Sequence, residues 1–132
     1  MIKVITFGVF DLLHLGHILL FKKAKELGDY LIVAVQDDTV IKKYKPEVEI
    51  VCSTAYRVAM VKSIKYVDEV IVYKDVDKDI QTIAFDIFAK GPDQNHLGFQ
   101  HAENWCVEHQ KEIVVVPRTE GISSTILRDK ML

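Results

Sequence analysis

The stretch that decides the fold reads KVITFG at Lys3–Gly8, VFDLLH at Val9–His14, LGHILLFKKAKEL at Leu15–Leu27 and YLIVAVQ at Tyr30–Gln36. The first and last pieces are short apolar runs of strand length, and the third repeats on a helical period. Ile18, Leu19, Phe21, Ala24 and Leu27 share one face of that helix, with Lys22, Lys23, Lys25 and Glu26 mostly on the other. Gly28 closes it as a C′ residue. Tyr30–Gln36 is nearly all apolar, as a strand covered on both faces must be. A strand, a helix and a second buried strand in 34 residues make a βαβ unit, and such units build parallel sheets.

The alternation continues outward. Further strands are predicted at Glu69–Tyr73, Asp86–Lys90 and Glu112–Val116, and further helices at Ala55–Tyr66, Lys78–Ala84, Phe99–Gln110 and Ser123–Leu132. The expectation is one Rossmann-like α/β domain over residues 1–132, a five-stranded parallel sheet in the order 3-2-1-4-5 with helices on both faces. In such sheets ligands bind beyond the carboxyl ends of the strands, where the strand order reverses. Function is therefore to be sought after Gly8, Gln36, Lys90 and Val116. No GxGxxG follows the first strand and no GxxxxGK[ST] occurs, so hydride transfer and P-loop chemistry lose most of their support.

Composition narrows the class without naming it. The chain has 132 residues, too few to divide into several cores, and 49% hydrophobic with 27% charged residues is ordinary for a globular domain. Seventeen basic against 19 acidic residues give no long nucleic-acid footprint. No apolar run approaches the roughly 20 residues of a membrane span. Met1-Ile2-Lys3-Val4 lacks the layout of a signal peptide. Cys52 and Cys106 stand far apart, which argues against a disulfide framework or a zinc site. Neither a nucleic-acid nor a membrane partner is expected, and the compartment expected is the cytoplasm.

The turn after the first strand carries the chemistry. His14 and His17 are three apart on a first helical turn, where both imidazoles can face one way. Gly16 between them lets a ligand approach the backbone, and the helix N-terminus attracts anions. Such a site suits a phosphate group gaining charge in a phosphoryl or nucleotidyl transfer. Read alone, the pair also fits metal ligation or an ordinary surface, but no third and fourth ligand stand nearby, and no protein-held metal is expected.

Three other segments contribute candidates. After the last strand, Arg118-Thr119-Glu120-Gly121-Ile122-Ser123-Ser124-Thr125 places an arginine, a turn glycine and three hydroxyls before a helix. One hydroxyl is explained by capping, but the whole set suits the β- and γ-phosphates of a nucleoside triphosphate. Lys42, Lys43 and Lys45 follow the second strand on a predicted loop, which in itself is most often solvated. Lys90-Gly91-Pro92-Asp93 follows the fourth strand. Arg57 on its predicted helix, His96 in its loop and His101 on its helix are expected at the surface, and Trp105 in packing.

Gly8-Val9-Phe10-Asp11-x2-His14-x-Gly16-His17 resembles the signature of the HxGH nucleotidyltransferases, and Arg118–Thr125 resembles the RTEGIST signature of their cytidylyltransferase branch. The likeness continues at Leu27–Leu31, Arg57 and Tyr66–Val70, so it spans nearly the whole chain; its nearest look is to small bacterial members that act on glycerol 3-phosphate. The resemblance implies transfer of CMP from CTP to a phosphomonoester, most simply glycerol 3-phosphate, releasing pyrophosphate and forming CDP-glycerol for teichoic acid or capsule synthesis. It implies His14, His17, Lys43 and Arg118 as catalytic residues. Nucleotide contacts would come from Gly8, Val9, Phe10, Asp11, Gly16, His17, Gly91, Asp93, Arg118, Thr119, Gly121, Ile122, Ser123, Ser124 and Thr125. Lys43, Lys45 and Arg57 would hold the acceptor phosphate, with Asp11 orienting a histidine or touching a divalent ion. Mg2+ carried mainly by CTP, and a homodimer, are implied as well.

Two departures concern the acceptor. The glycerol-phosphate members tend to follow the glycine after strand four with acidic residues and a tryptophan, where this chain has Pro92-Asp93-Gln94-Asn95-His96. They also often carry threonine at the position of Val9, where valine is commoner in members acting on choline or ethanolamine phosphate. Another acceptor (phosphoethanolamine, a sugar or polyol phosphate), adenylyl transfer, and a non-catalytic nucleotide sensor stay open.

Overall fold

Strand β1, Lys3–Gly8, is buried along Val4, Ile5, Thr6 and Phe7 because it lies in the middle of the sheet with helices above and below. In the computed structural model, which describes residues 1–44, 47 and 49–117, the chain runs as follows. Helix α1 (Leu15–Glu26) leads to β2 (Tyr30–Gln36), then α2 (Asp38–Tyr44) and α3 (Thr54–Lys62) lead to β3 (Glu69–Tyr73). Helix α4 (Val76–Asp79) and a 3₁₀ turn (Ile80–Thr82) precede β4 (Ile87–Lys90), and α5 (Leu97–Glu108) precedes β5 (Glu112–Val115).

The five strands form one parallel sheet in the order β3-β2-β1-β4-β5, the order expected. Alternate side chains feed two cores. Ile5, Phe7, Ile32, Ala34 and Phe88 pack under Phe99, Ala102 and Cys106 of α5 with Val76 and Ile80. Val4, Leu31, Val33, Val35, Ile87 and Ala89 pack on the other face under Phe21 and Ala24 of α1 and Val61 of α3. Complete burial of each Val, Leu, Ile or Phe among them is worth about 1.5–3 kcal/mol, so the sheet is fixed by its two-sided apolar strands. Among the described residues no helix is long and apolar enough to cross a membrane.

The departures from expectation are local. Asp38–Tyr44 is a helix, so Lys42 and Lys43 sit on α2 rather than on a loop. It starts because the Asp37 carboxylate accepts hydrogen bonds from the Thr39 N–H and hydroxyl, at 2.9 and 2.6 Å. Helix α3 ends at Lys62, short of Tyr66, and the Ser63 hydroxyl returns to the Ala59 carbonyl at 2.9 Å. The predicted Lys78–Ala84 helix begins two residues early and tightens into the 3₁₀ turn, its start held by the Asp79 carboxylate on the Lys74 N–H at 2.7 Å. Ser123–Leu132 lies outside the described residues.

Candidate functional site

Beyond Gly8 the backbone turns sharply, and Phe10 takes up a positive φ of 54°. Non-glycine residues seldom enter that region, and when they do something must hold them there. Here the phenyl ring is buried between Phe21, at 5.2 Å between centroids, and His17, at 5.4 Å edge-on. It also lies directly over Gly8, where an added Cβ would come within 2.5 Å of the Phe10 ring. Gly8 is thus required for the ring to fold back, and the ring in turn backs one face of His17.

His14 is the N-cap of α1, with extended backbone. Its Nδ1 accepts a hydrogen bond from the Gly16 N–H at 3.0 Å, and Nδ1 of His17 accepts from the His14 N–H at 3.3 Å. The two histidines thus form a reciprocal capping box, a role usually taken by Ser or Thr with Glu or Gln. Their rings stack at 3.9 Å and 26°. An imidazole that accepts at Nδ1 carries its proton on Nε2 when neutral. Burial, and then the neighbouring His14, lower the pKa of His17 from 6.5 to about 4, so it is neutral at pH 7. The result is two half-buried rings, each with Nδ1 committed to backbone, so that the proton of a neutral ring lies on Nε2. They stand at a helix N-terminus whose first turn holds no acidic residue.

Asp11 and Arg57 secure the turn from behind. The buried Asp11 carboxylate accepts from the Val51 N–H at 2.9 Å and the Cys52 N–H at 2.8 Å. Arg57, 0% exposed, donates from Nη1 to the carbonyls of Val9 and Gln36, both at 2.8 Å. Its Nε donates to the Cys52 carbonyl at 3.1 Å, and Nη2 to the Thr54 hydroxyl at 3.2 Å. Burial lowers its pKa, opposed first by the charge of Asp11 and next by that of Asp38. This corrects the expectation that Arg57 lies at the surface. The guanidinium fork is spent on three carbonyls and a hydroxyl, and it joins the ends of β1 and β2 to the segment entering α3. Asp11 likewise turns its oxygens to backbone amides.

At the end of β4, Lys90 is buried with Nζ 3.2 Å from the Glu103 carboxylate and 3.3 Å from the Asn95 side-chain oxygen. Gly91 opens a turn in which Pro92 and Asp93 are exposed. Gln94, passed over in the sequence, hydrogen-bonds to the ends of two strands. His96 is not merely a loop residue: it caps α5, accepting from the Gly98 N–H at 3.2 Å. His101 is exposed 3.8 Å from Asp77, and Trp105 packs against the core.

The structure therefore gathers Gly8, Val9, Phe10, Asp11, His14, Gly16 and His17 into one turn at the C-terminal edge of the sheet. The Gly91–Asp93 turn lies at the same edge, past the next strand of the sheet. Lys43 is exposed on α2. Lys45, Arg118, Thr119, Gly121, Ile122, Ser123, Ser124 and Thr125 lie outside the described residues. Among the described residues no three His, Cys, Asp or Glu side chains gather to hold a metal ion.

The chain is similar to known proteins over most of its length. The family model described as Cytidylyltransferase-like matches residues 5–130. A glycerol-3-phosphate cytidylyltransferase of Bacillus subtilis is 41% identical over 133 residues, covering 98% of this chain and 96% of that protein. An FAD synthase of Pyrococcus horikoshii is 42% identical over 97 residues, 71% of this chain and 65% of that one. Among solved structures, a lipopolysaccharide core biosynthesis protein from Thermoplasma volcanium superposes with a TM-score of 0.73 at 30% identity, covering 90% of this chain and 97% of that one.

Proposed function

The chain belongs to the cytidylyltransferase-like family, and from that premise we propose that it transfers CMP from CTP to a phosphomonoester, glycerol 3-phosphate in the first place. The observation that carries the reading is the stacked pair of imidazoles at the start of α1, both with Nδ1 tied to backbone. In this reaction an acceptor phosphate oxygen bonds to the α-phosphorus of CTP as the bond to the bridging oxygen breaks in line, and pyrophosphate leaves with the electron pair. The acceptor is already ionised near neutral pH. No general base is needed, and catalysis reduces to alignment and to donors placed where charge gathers.

Nε2–H of His14 and of His17 would donate to the phosphoryl oxygens and the departing pyrophosphate. Gly8, Val9, Phe10, Gly16, Gly91 and Asp93 would border the nucleotide. Arg118, Thr119, Gly121, Ile122, Ser123, Ser124 and Thr125 would hold the triphosphate tail, and Lys43 with Lys45 the acceptor phosphate. Arg57 and Asp11 act through the backbone they hold. Mg2+, when bound, neutralises triphosphate charge; with Asp11 turned to amides, it fits as a passenger of CTP held by phosphate oxygens and water. A homodimer in the cytoplasm belongs to the same proposal.

A second acceptor reading is favoured by one feature, the Gly91–His96 segment, which departs from the glycerol-phosphate pattern; the likeness to an FAD synthase is consistent with it. Pyrophosphate release with CTP or ATP and a panel of glycerol 3-phosphate, phosphoethanolamine, sugar phosphates and flavin mononucleotide tests the whole proposal. The expected result is the highest kcat/KM with CTP and glycerol 3-phosphate. Preference for another acceptor replaces the substrate and keeps the chemistry; tight nucleotide binding with no release for any acceptor makes the protein a sensor.

A further inference from the structure

Strand β1 pairs with β2 along its whole length, from Lys3 opposite Tyr30 to Gly8 opposite Val35. On its other side it pairs with β4 at two places only, Val4 opposite Ile87 and Ile5 opposite Phe88. The two strands part company toward their carboxyl ends. Their helices leave in opposite directions, α1 to one face of the sheet and α5 to the other. The gap that opens is the crevice in which sheets of this kind bind ligands.

Continued by two residues, the register would set Phe7 opposite Lys90 and aim the Phe7 carbonyl at the Gly91 N–H, as a parallel ladder does. Those two groups do not meet each other; both meet Gln94. Its Nε2 donates to the Phe7 carbonyl at 2.6 Å, and its Oε1 accepts from the Gly91 N–H at 3.0 Å. A primary amide has the donor and acceptor of a peptide group, so it lengthens the missing rung rather than capping it. The backbone N–H of Gln94 closes the turn on the Gly91 carbonyl at 3.3 Å. Asn95 locks the same turn from outside, donating to the Pro92 carbonyl at 2.7 Å while its Oδ1 accepts from the buried Lys90.

We propose that Gln94 is a positioning residue that sets the width of the β1–β4 crevice, and through it the spacing of the Gly91–Asp93 turn from the Gly8–His17 turn between which the nucleotide lies. The proposal rests on the nucleotidyl-transfer reading. The two histidines are held by their own capping box and by Phe10, so loss of the wedge displaces the 91–95 turn and leaves the donors in place. Binding suffers while the chemical step survives.

Two variants test this. Gln94→Leu removes both hydrogen bonds at similar volume; Gln94→Glu keeps the acceptor but turns an oxygen toward the Phe7 carbonyl. Both are expected to raise KM for CTP about tenfold, the scale of one net hydrogen bond, with kcat within about threefold of the unsubstituted protein. The Gly91 amide, followed by hydrogen exchange, is expected to lose protection in Gln94→Leu. KM within twofold in whichever of the two variants folds, or a fall in kcat at unchanged KM, overturns the proposal. If the unsubstituted protein releases no pyrophosphate with any acceptor, the functional reading fails by itself. The wedge is then judged on CTP affinity by calorimetry and on Gly91 exchange, and no change in either between the unsubstituted protein and Gln94→Leu overturns it.

Discussion

Two helices in this molecule open on the same three letters. Helix α1 starts at His14-Leu15-Gly16 and α5 at His96-Leu97-Gly98, the histidine in each being the N-cap, each after an interior strand and on opposite faces of the sheet. Each histidine is an N-cap whose Nδ1 accepts from the glycine N–H, and each ring meets the aromatic ring at N3. At α5 that residue is Phe99, a core side chain, and His96 meets it edge-on. At α1 it is His17, and the pairing becomes a stack of two imidazoles whose second member returns a hydrogen bond to the cap. Capping explains one histidine in either place. What separates a helix start from a reaction site is the N3 residue and the strained turn that backs it.

The sharpest way to break the comparison is to make the first start read like the second. His17→Phe leaves the cap at His14 and the packing on Phe10 but removes a donor from the site. Turnover is expected to fall about 10²–10³-fold, the scale for removing one transition-state donor, with circular dichroism unchanged. Near-normal kcat would return the pair to a purely structural role.

The turn itself comes next. Gly8→Ala puts a Cβ 2.5–2.9 Å from three ring carbons of Phe10 and is expected to cost about 1–3 kcal/mol, read by denaturant unfolding. At the corresponding end of β4, an added Cβ at Gly91 meets only Gln94 Cγ at 4.0 Å, so Gly91→Ala is expected to leave stability within about 0.5 kcal/mol.

Acid separates the starts through His17. Its pKa is depressed to about 4 in the folded chain against 6.5 when exposed, so between those values the unfolded chain binds the extra proton. Stability from this group is present above pH 6.5 and drains as pH falls toward 4; Tm measured across that window should slope downward, less so in His17→Phe. For the same reason kcat is not expected to rise as pH drops through 6.5, and a rise would mean that an imidazolium does the work.

The smallest effect distinguishes cap from donor. His96→Ala should lose about 1 kcal/mol of stability and His96→Asn should restore it, with turnover unaffected. His14→Asn should also keep stability yet stay at least about tenfold slower, since asparagine caps the helix but lacks the second donor atom at Nε2.

The strands and their order were readable because two-sided burial writes itself as unbroken apolar runs, and short loops leave few ways to wind a parallel sheet. The histidine pair was readable because catalysis constrains side-chain identity. Helix α2 was harder: of its apolar residues Ile41 alone is buried among those described, and its clearest sign was Asp37 followed by Thr39 at a strand end. Arg57 and Gln94 were not legible as what they are. Apart from the Thr54 hydroxyl, their partners are the backbone carbonyls of Val9, Gln36, Cys52 and Phe7 and the amide of Gly91, so little elsewhere in the sequence announces them. The Arg118–Thr125 motif was legible as a signature, but it lies outside the described residues.

The reciprocal tie between the two histidines has a consequence for the direction of flux. With its Nδ1 spoken for and its ring resistant to protonation, His17 lends a hydrogen bond without gaining or losing a proton. On the proposed chemistry His17 would leave each turnover in the ionisation state in which it began, with no reset step between product release and the next encounter. The same donor then serves the backward reaction, pyrophosphate attacking the diester, as readily as the forward one. Net synthesis is in that case decided outside this chain, by whatever removes pyrophosphate.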